Sequence, residues 1–375
     1  MLLWYDGDGL VDRSDERLGT SLRPMPAGLM QAIVKPEPKP GAQLQEVAVP
    51  PVGPHDVLVR VRVASICGTD LHIYQWDRWS ARRIRPPLVF GHEFCGLVER
   101  IGAEVSTVRE GDFVSAEMHL ACGQCYQCRT GQSHICQKVR IIGVDADGCF
   151  AQYVKIPESN IWKIDPAIPP DYAAVLDPLG NAVHTVLAGD VAGLSVAITG
   201  CGPIGLFSVA VAKACGAGPI FATEIHPYRR KLAEKMGATA VVDPSATDAV
   251  AFVLGETRGV GVDVVLEMSG HPEAVRQAFQ MLRRGGRISL LGIPAKPLEL
   301  DLATDVIFKG AVVQGINGRR VFETWYKMQA LLKSGALDLA PLITDRIPMA
   351  DFEHGMELLL SGNASKVLMY PNGLP

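Results

Sequence analysis

The chain has 375 residues, 48% of them hydrophobic and 20% charged, with a net charge of −4. A length of this order suggests two domains, and the composition supplies a core for each, so disorder over most of the chain is excluded. The slight acidity gives no electrostatic reason to expect nucleic acid or an anionic membrane as a partner.

At the N-terminus, Met1 to Tyr5 form a short apolar run, soon followed by Asp6, Asp8, Asp12, Asp15 and Glu16. A secretory signal needs a basic start and a longer apolar stretch, and transit peptides avoid acids, so the expected compartment is the cytoplasm. No window reaches the roughly 20 uninterrupted apolar residues that span a bilayer. Residues 1–29 lack periodicity and read either as a disordered arm or as sequence ahead of the true start; strand-like sequence begins at Met30.

From 30 to about 180 the reading is β-rich. Between Val57 and Val63 branched apolar residues alternate with polar ones, as in a half-buried strand. Cys67 then opens Cys-Gly-Thr-Asp-Leu-His72, and Gly91-His92-Glu93 follows. A thiolate, an imidazole and a carboxylate suit zinc with one position left open, but by spacing alone Cys67 reads equally as a core thiol and His92 as a structural histidine. Cys122, Cys125, Cys128 and Cys136 are a stronger signal, in the pattern C-x2-C-x2-C-x7-C. In a reducing compartment such clustering points to metal rather than disulfides. Four thiolates close a tetrahedral shell, so a structural zinc is expected, with an iron–sulfur cluster as the rival. The remaining cysteines, Cys95, Cys149, Cys201 and Cys215, read as packing.

After about 180, short apolar runs alternate with helical stretches. Val196–Thr199 precedes a helix over Ile204–Cys215, Ile220–Thr223 precedes Pro227–Met236, and Asp263–Glu267 precedes Pro272–Leu282. Arg287–Leu291 follows as a further strand. Such alternation predicts a parallel sheet covered on both faces. The first of these strands runs into Gly200-Cys-Gly202-Pro203-Ile204-Gly205, a G-x-G-x-x-G at a strand-to-helix junction. The glycines permit the tight turn, the approach of a pyrophosphate and close helix packing, and the new helix offers free N–H groups to the phosphates. Glu224 ends the next strand, placed to bind both ribose hydroxyls and to repel a 2′-phosphate, so NAD is expected over NADP. Arg229 lies close by as a phosphate, adenine or ribose contact. Two helices are expected between 322 and 361, then a closing strand at Lys366–Tyr370.

Cys67-Gly-Thr-Asp70, Gly91-His-Glu93, the four-cysteine segment and Gly200–Gly205 together resemble the medium-chain zinc-dependent alcohol dehydrogenases, from Met30 to about Tyr370. Cys67–Tyr74 with Trp76–Trp79, Asp177–Thr185 and Phe322–Met328 are most similar to the branch of that family that oxidises the amino acid threonine. The resemblance implies an α/β fold in two domains. A GroES-like β-rich catalytic domain would comprise 30–180 and 323–375, a Rossmann domain with a doubly wound parallel sheet would comprise 181–322, and 1–29 would be an extension. It implies that Cys67, His92 and Glu93 hold a catalytic zinc and that the four clustered cysteines hold a structural one. Thr69 and His72 match a pair that carries the substrate's hydroxyl proton outward. Asp177 matches an acid near the catalytic zinc, as a relay group or an intermittent ligand. Gly200, Gly202, Pro203, Ile204, Gly205, Glu224 and Arg229 fall at cofactor-contact positions, and Leu291-Gly292-Ile293 with Ile316-Asn317 falls on the nicotinamide side. A homotetramer acting on a small molecule is also implied. Asn317 departs from the family pattern, which has tyrosine there, and the segment before Met30 is foreign to it.

The implied activity is NAD-dependent oxidation of the threonine hydroxyl, with Arg319 and Glu323 as candidates to meet the substrate's carboxylate and ammonium. Oxidation of sorbitol, 2,3-butanediol or another secondary alcohol is the nearest rival, and a non-catalytic NAD-binding redox or zinc sensor the rival of another class. The residues also admit plainer readings. Thr69 would cap a helix starting at Asp70, His72 would be a surface histidine, Trp76 and Trp79 would pack, and His184 would be a core residue.

Overall fold

The computed structural model describes residues 28–374, so the expectations for the preceding segment lie outside the described residues. β1 (Leu29–Lys35) and β2 (Gln43–Ala48) pair antiparallel. In β3 (Asp56–Ile66), only Arg60 and Arg62 interrupt burial after Asp56. Two short helices follow, α1 (Gly68–Gln75) and α2 (Arg78–Arg83). Next come β4 (Leu88–Val89), β5 (Glu93–Ile101) and β6 (Phe113–Ala116). A small lobe carries β7 (His119–Leu120), α3 (Tyr126–Arg129) and β8 (Arg140–Ile141). β9 (Tyr153–Pro157) and β10 (Ile161–Lys163) lead through α4 (Pro170–Ala173) into α5 (Leu176–Val186). Pro178 is tolerated in α5 because it sits in the first turn, where backbone N–H groups have no helical partner.

The second half alternates strictly. β11 (Val196–Thr199), α6 (Pro203–Ala214), β12 (Ile220–Thr223), α7 (Pro227–Met236) and β13 (Ala240–Val242) come first. α8 (Ala249–Glu256), β14 (Val262–Glu267), α9 (Pro272–Met281), β15 (Leu282–Leu290) and β16 (Val312–Gly315) complete it. The strands pair in parallel in the order β13-β12-β11-β14-β15-β16. This is the doubly wound Rossmann order, which reverses between β11 and β14 and opens a crevice at the strands' C-terminal ends. The strands and helices read from periodicity lie within a few residues of those observed. β13 has only three residues, too few to leave such a signal, and α8 and β16 are not among the elements so read.

The chain then returns to its beginning. α10 (Glu323–Lys333) and α11 (Phe352–Leu360) are the two helices expected there, but β17 (Ile343–Pro348) lies between them. Thr344, Asp345 and Arg346 dilute its apolar pattern, and it exists because it pairs with β18 (Lys366–Tyr370). β18 in turn pairs antiparallel with β3, giving a sheet ordered β10-β6-β5-β3-β18-β17 with β9 also on β3. One hydrophobic cluster joins α5, α6, β11 and Trp325 of α10 to Val63 and Cys95 of the first sheet. α5, buried at every residue but Asn181, is thus the element against which both sheets are set.

Candidate active site

The first group of side chains is built by a turn. Cys67 follows β3 directly and caps α1: its sulfur accepts from Thr69 N at 3.3 Å, and Asp70 reaches back to Cys67 N at 2.9 Å. This is a capping box with cysteine as the cap. It corrects the plainer reading of Thr69, which is the second helical residue and caps nothing. The helix N-terminus favours negative charge on the sulfur. Gly91 turns the chain so that His92, just ahead of β5, and Glu93, its first residue, are buried at 4% and 2% exposure.

Of the three expected ligands, Cys67 and Glu93 each come close to His92 but not to one another. Cys67 Sγ lies 3.1 Å from His92 Nε2, and Asp70 Oδ1 lies 3.7 Å from His92 Nδ1. Ligand-type atoms of Cys67, Asp70 and His92 lie within 4.8 Å of one another, as do those of His92, Glu93 and Asp177. Glu93 is drawn away from Cys67 by Lys366 of β18, whose Nζ sits 2.5 Å from Glu93 Oε2 and 3.0 Å from the Ile66 carbonyl. Asp177, in the first turn of α5, is buried beside Arg319, whose Nη2 lies 2.5 Å from its Oδ1 but off the hydrogen-bonding axis.

The donor set fits zinc. A soft thiolate and an imidazole face each other, and the Asp70 carboxylate lies 3.7 Å from the imidazole's other nitrogen, on the side from which carboxylates orient metal-bound histidines. The electrostatics also call for a cation. Burial pushes the Cys67 thiol up and the Asp70 carboxyl up to about 6, and Asp70 Oδ1 and His92 Nδ1 have no hydrogen-bond partner. Asp70 and Lys366 were assigned no role from sequence. The three-residue spacing of the capping box could have pointed to Asp70, whereas nothing local points to Lys366.

The lobe gathers its four sulfurs as the spacing implied. Ligand atoms of Cys122, Cys125, Cys128 and Cys136 lie within 4.8 Å of one another, and no pair is bonded. Backbone N–H groups of Cys122 and Lys138 point at Cys136 Sγ, each at 3.3 Å. Amides of Cys128 and Gln137 lower the Cys125 thiol to about 6, as a thiolate ligand needs. The lobe leans on the rest of the molecule through His134, edge-on to His184 at 5.6 Å, and His184 Nδ1 lies 2.9 Å from the Gly318 carbonyl. This supports a core role for His184. A Cys125→Ser variant is expected to bind one zinc per chain instead of two by elemental analysis; two retained equivalents would remove the lobe from the metal inventory.

The cofactor candidates line the crevice between β11 and β14. Gly200 has φ 89, and a Cβ there would come within 2.8 Å of Ser269 Cβ; a Cβ on Gly205 would meet the Gly200 carbonyl at 2.1 Å. Gly202, by contrast, caps α6 over open space, where a phosphate would lie. Glu224 is buried and accepts from Cys201 N at 2.8 Å and His226 N at 2.9 Å. Arg230, not Arg229, is locked in place, on Asp243 at 2.8 Å and on the Glu224 carbonyl; Arg229 makes no ion pair among the described residues. Ile204, Leu291 and Gly292 are half-buried, Ile316 is buried, and Ile293 and Asn317 are exposed. Glu267, overlooked in the sequence, ties the crevice together: it is fully buried and accepts from Ser269 and Gly270 amides and from Thr199 and Ser269 hydroxyls.

The two candidates for binding an amino-acid substrate are already paired. Arg319 is fully buried between Glu117 and Asp177, and Glu323 is exposed with Lys327 at 2.6 Å and Arg320 at 3.4 Å. Neither stands free toward the crevice.

A nucleotide crevice on a Rossmann sheet, beside a buried thiolate–imidazole–carboxylate set, defines a zinc-dependent oxidoreductase. The chain belongs to the zinc-binding dehydrogenases: residues 53–166 match the alcohol dehydrogenase GroES-like domain and residues 203–334 the zinc-binding dehydrogenase domain. Zinc and a nicotinamide dinucleotide are therefore its cofactors. Among its relatives, the L-threonine 3-dehydrogenase of Bacillus licheniformis is 50% identical over 344 residues, 92% of this chain and 99% of that protein. The structure of a zinc-binding dehydrogenase from Sinorhizobium meliloti with NADP bound superposes with a TM-score of 0.85 at 32% identity, covering 92% of this chain and 99% of the other. That of 2R,3R-butanediol dehydrogenase from Bacillus subtilis does so with a TM-score of 0.83 at 30% identity, covering 92% and 100%.

Proposed function

We propose that the protein oxidises L-threonine at its side-chain hydroxyl to L-2-amino-3-oxobutanoate, with hydride transfer to NAD. The observation that carries this is the meeting of the Cys67–His92 donor pair with the nucleotide crevice in a chain half identical to L-threonine 3-dehydrogenases along almost its whole length. Cys67, His92 and Glu93 would hold the catalytic zinc, with Asp70 orienting His92 and Asp177 beside it as a relay group or further ligand. Cys122, Cys125, Cys128 and Cys136 would hold the structural zinc. When bound, zinc lowers the pKa of the substrate hydroxyl and nicotinamide accepts the hydride. Thr69 and His72, three residues apart on one face of α1, would take the hydroxyl proton outward. His92, Glu93 and Asp177 are buried, so a metal held there would lie away from bulk water. Residues 30–180 and 323–375 would form the catalytic domain and 181–322 the cofactor domain, with the reaction in the cleft between them.

The butanediol dehydrogenase likeness supports a second reading, oxidation of a plain secondary alcohol. Rates of NADH formation with threonine, sorbitol and 2,3-butanediol choose between the two: threonine is expected to have the highest kcat/KM, and no turnover with any alcohol would favour the sensor reading instead.

Glu224 carries the preference for NAD. Its carboxylate, held by two backbone amides, would repel the 2′-phosphate of NADP. A Glu224→Ala variant is expected to shift the ratio of kcat/KM toward NADP by at least about tenfold, roughly 1.4 kcal/mol; an unchanged ratio would move cofactor choice elsewhere, Arg229 first.

The small-molecule reading extends to assembly in the cytoplasm. No helix among the described residues is long and apolar enough to cross a membrane. β16 is an edge strand, and Val312 and Val313 with nearby Ile307 and Phe308 are exposed. An open apolar edge of this kind invites pairing with a second copy, which supports a homotetramer; light scattering is expected to give four chains.

A further inference from the structure

The turn after α1 is strained. Trp76 closes the helix at φ 55 and ψ 51, and only it and Arg258 are non-glycine residues with positive φ among the described residues. Such a conformation costs a bulky residue on the order of 1–3 kcal/mol and persists only where its surroundings hold it. Here the ring packs on the first sheet's core, with Lys35 Nζ 5.2 Å from its centroid. What the strain achieves is the placing of Asp77. Its carboxylate serves two groups at once: Oδ1 accepts from Ser80 N at 2.9 Å, capping α2, and Oδ2 lies 2.8 Å from His72 Nδ1. The ring of Trp79 of α2 stands 6.2 Å from the same imidazole, tilted at 58°. Burial pushes the Asp77 carboxyl up, but the Ser80 amide and His72 hold it below its ordinary value, so it stays an acceptor.

We propose that Asp77 is a positioning residue for proton transfer, fixing His72 in the tautomer that can receive the substrate's proton. The proposal rests on the relay reading given above. A carboxylate only accepts hydrogen bonds, so the neutral imidazole facing it carries its proton on Nδ1 and presents the Nε2 lone pair. The proton of the substrate hydroxyl passes to Thr69 Oγ1 as that group's own proton passes to His72 Nε2. One substrate O–H bond breaks, one N–H bond forms, and the electron pair left on the substrate oxygen becomes the carbonyl π bond as hydride leaves to NAD. The imidazolium pairs with Asp77 and then releases the Nε2 proton to solvent, which its 57% exposed side chain reaches.

The test compares Asp77→Asn with Asp77→Ser in the full, zinc-loaded enzyme, by the single-turnover rate of NADH formation with threonine. Both asparagine and serine cap helices, so α2 and the melting temperature are preserved. Asparagine spends its oxygen on Ser80 N and turns its amide N–H to Nδ1, which forces the proton onto Nε2. Serine leaves the imidazole free to share both tautomers. The expected losses are about 100-fold for Asp77→Asn and about fivefold for Asp77→Ser, with KM for threonine and NAD within about twofold of wild type. In a His72→Gln background, Asp77→Asn is expected to add no further loss, because the two act as one unit. Asp77→Asn as active as Asp77→Ser, or additive with His72→Gln, overturns the assignment while the relay stands. His72→Gln at the wild-type rate overturns the relay reading and this proposal with it.

Discussion

An Arg319→Met variant is expected to lose on the order of 3–5 kcal/mol of unfolding free energy, because it strands buried carboxylates without their counter-ion. Arg319 is fully buried, 2.8 Å from Glu117 Oε1 and 2.5 Å from Asp177 Oδ1. Its stem crosses α5 at Gly180, where a Cβ would come within 2.5 Å of Arg319 Cδ. Glu117 also takes hydrogen bonds from His119 Nδ1 at 2.5 Å and Trp325 Nε1 at 2.9 Å, so the cluster fastens α10 to β6, the lobe and α5. Burial pushes the Glu117 carboxyl up, but Arg319, followed by His119 and Trp325, holds it at about 2 instead of 4.5. An acid depressed in the folded state stabilises the protein fully above its unfolded pKa, and that contribution fades as pH falls through the folded value. The window here is from about 4.5 down to about 2. Without Arg319, burial is opposed only by the hydrogen bonds from His119 and Trp325, so the variant takes up this proton at higher pH and its deficit shrinks on acidification. Denaturant midpoints at pH 7 and pH 4 measure both effects. A loss below about 1 kcal/mol at pH 7, or a gap that widens in acid, would contradict this account of the cluster.

Cys67→Ser is expected to separate the two roles of Cys67. Serine is a good helix cap, so α1 keeps its start and thermal stability changes by less than about 1 kcal/mol. The hydroxyl is not a soft anionic ligand at neutral pH, so the catalytic metal is lost. Turnover of threonine is expected to fall by at least about 1000-fold, on the scale of what a polarising metal supplies, while metal analysis falls from two zinc per chain to one. Wild-type metal content would show that Cys67 is a cap and core thiol, as its spacing alone allowed. Asp70→Asn probes the same site through His92 and is expected to weaken metal binding by about 10–100-fold.

The local chemistry was legible in the sequence wherever it is short-range. The four sulfurs of the lobe, the glycine turn after β11 and the acid after β12 each span a few residues, and backbone turn geometry alone brings their atoms together. The capping of α1 was half legible: Cys67-Gly-Thr-Asp70 holds both partners of the box, but cysteine is an unusual cap and the cap was sought at Thr69. Trp76 and Trp79 were readable as packing, whereas the service of Asp77 to His72 needed a left-handed Trp76, a conformation no propensity predicts for tryptophan.

What the sequence determined by itself is therefore the doubly wound half and the gathering of the four lobe cysteines, because strand–helix periodicity and ligand spacing are local rules. What only the tertiary structure decided is which charges those side chains meet. Glu93 is held by Lys366 across 273 residues, and Glu117 by Arg319 across 202. Both partnerships exist because the chain returns to its first half, Lys366 through the pairing of β18 with β3 and Arg319 just ahead of α10, which packs on α5. A buried charge selects its partner through that long-range packing, and no spacing along the chain encodes it.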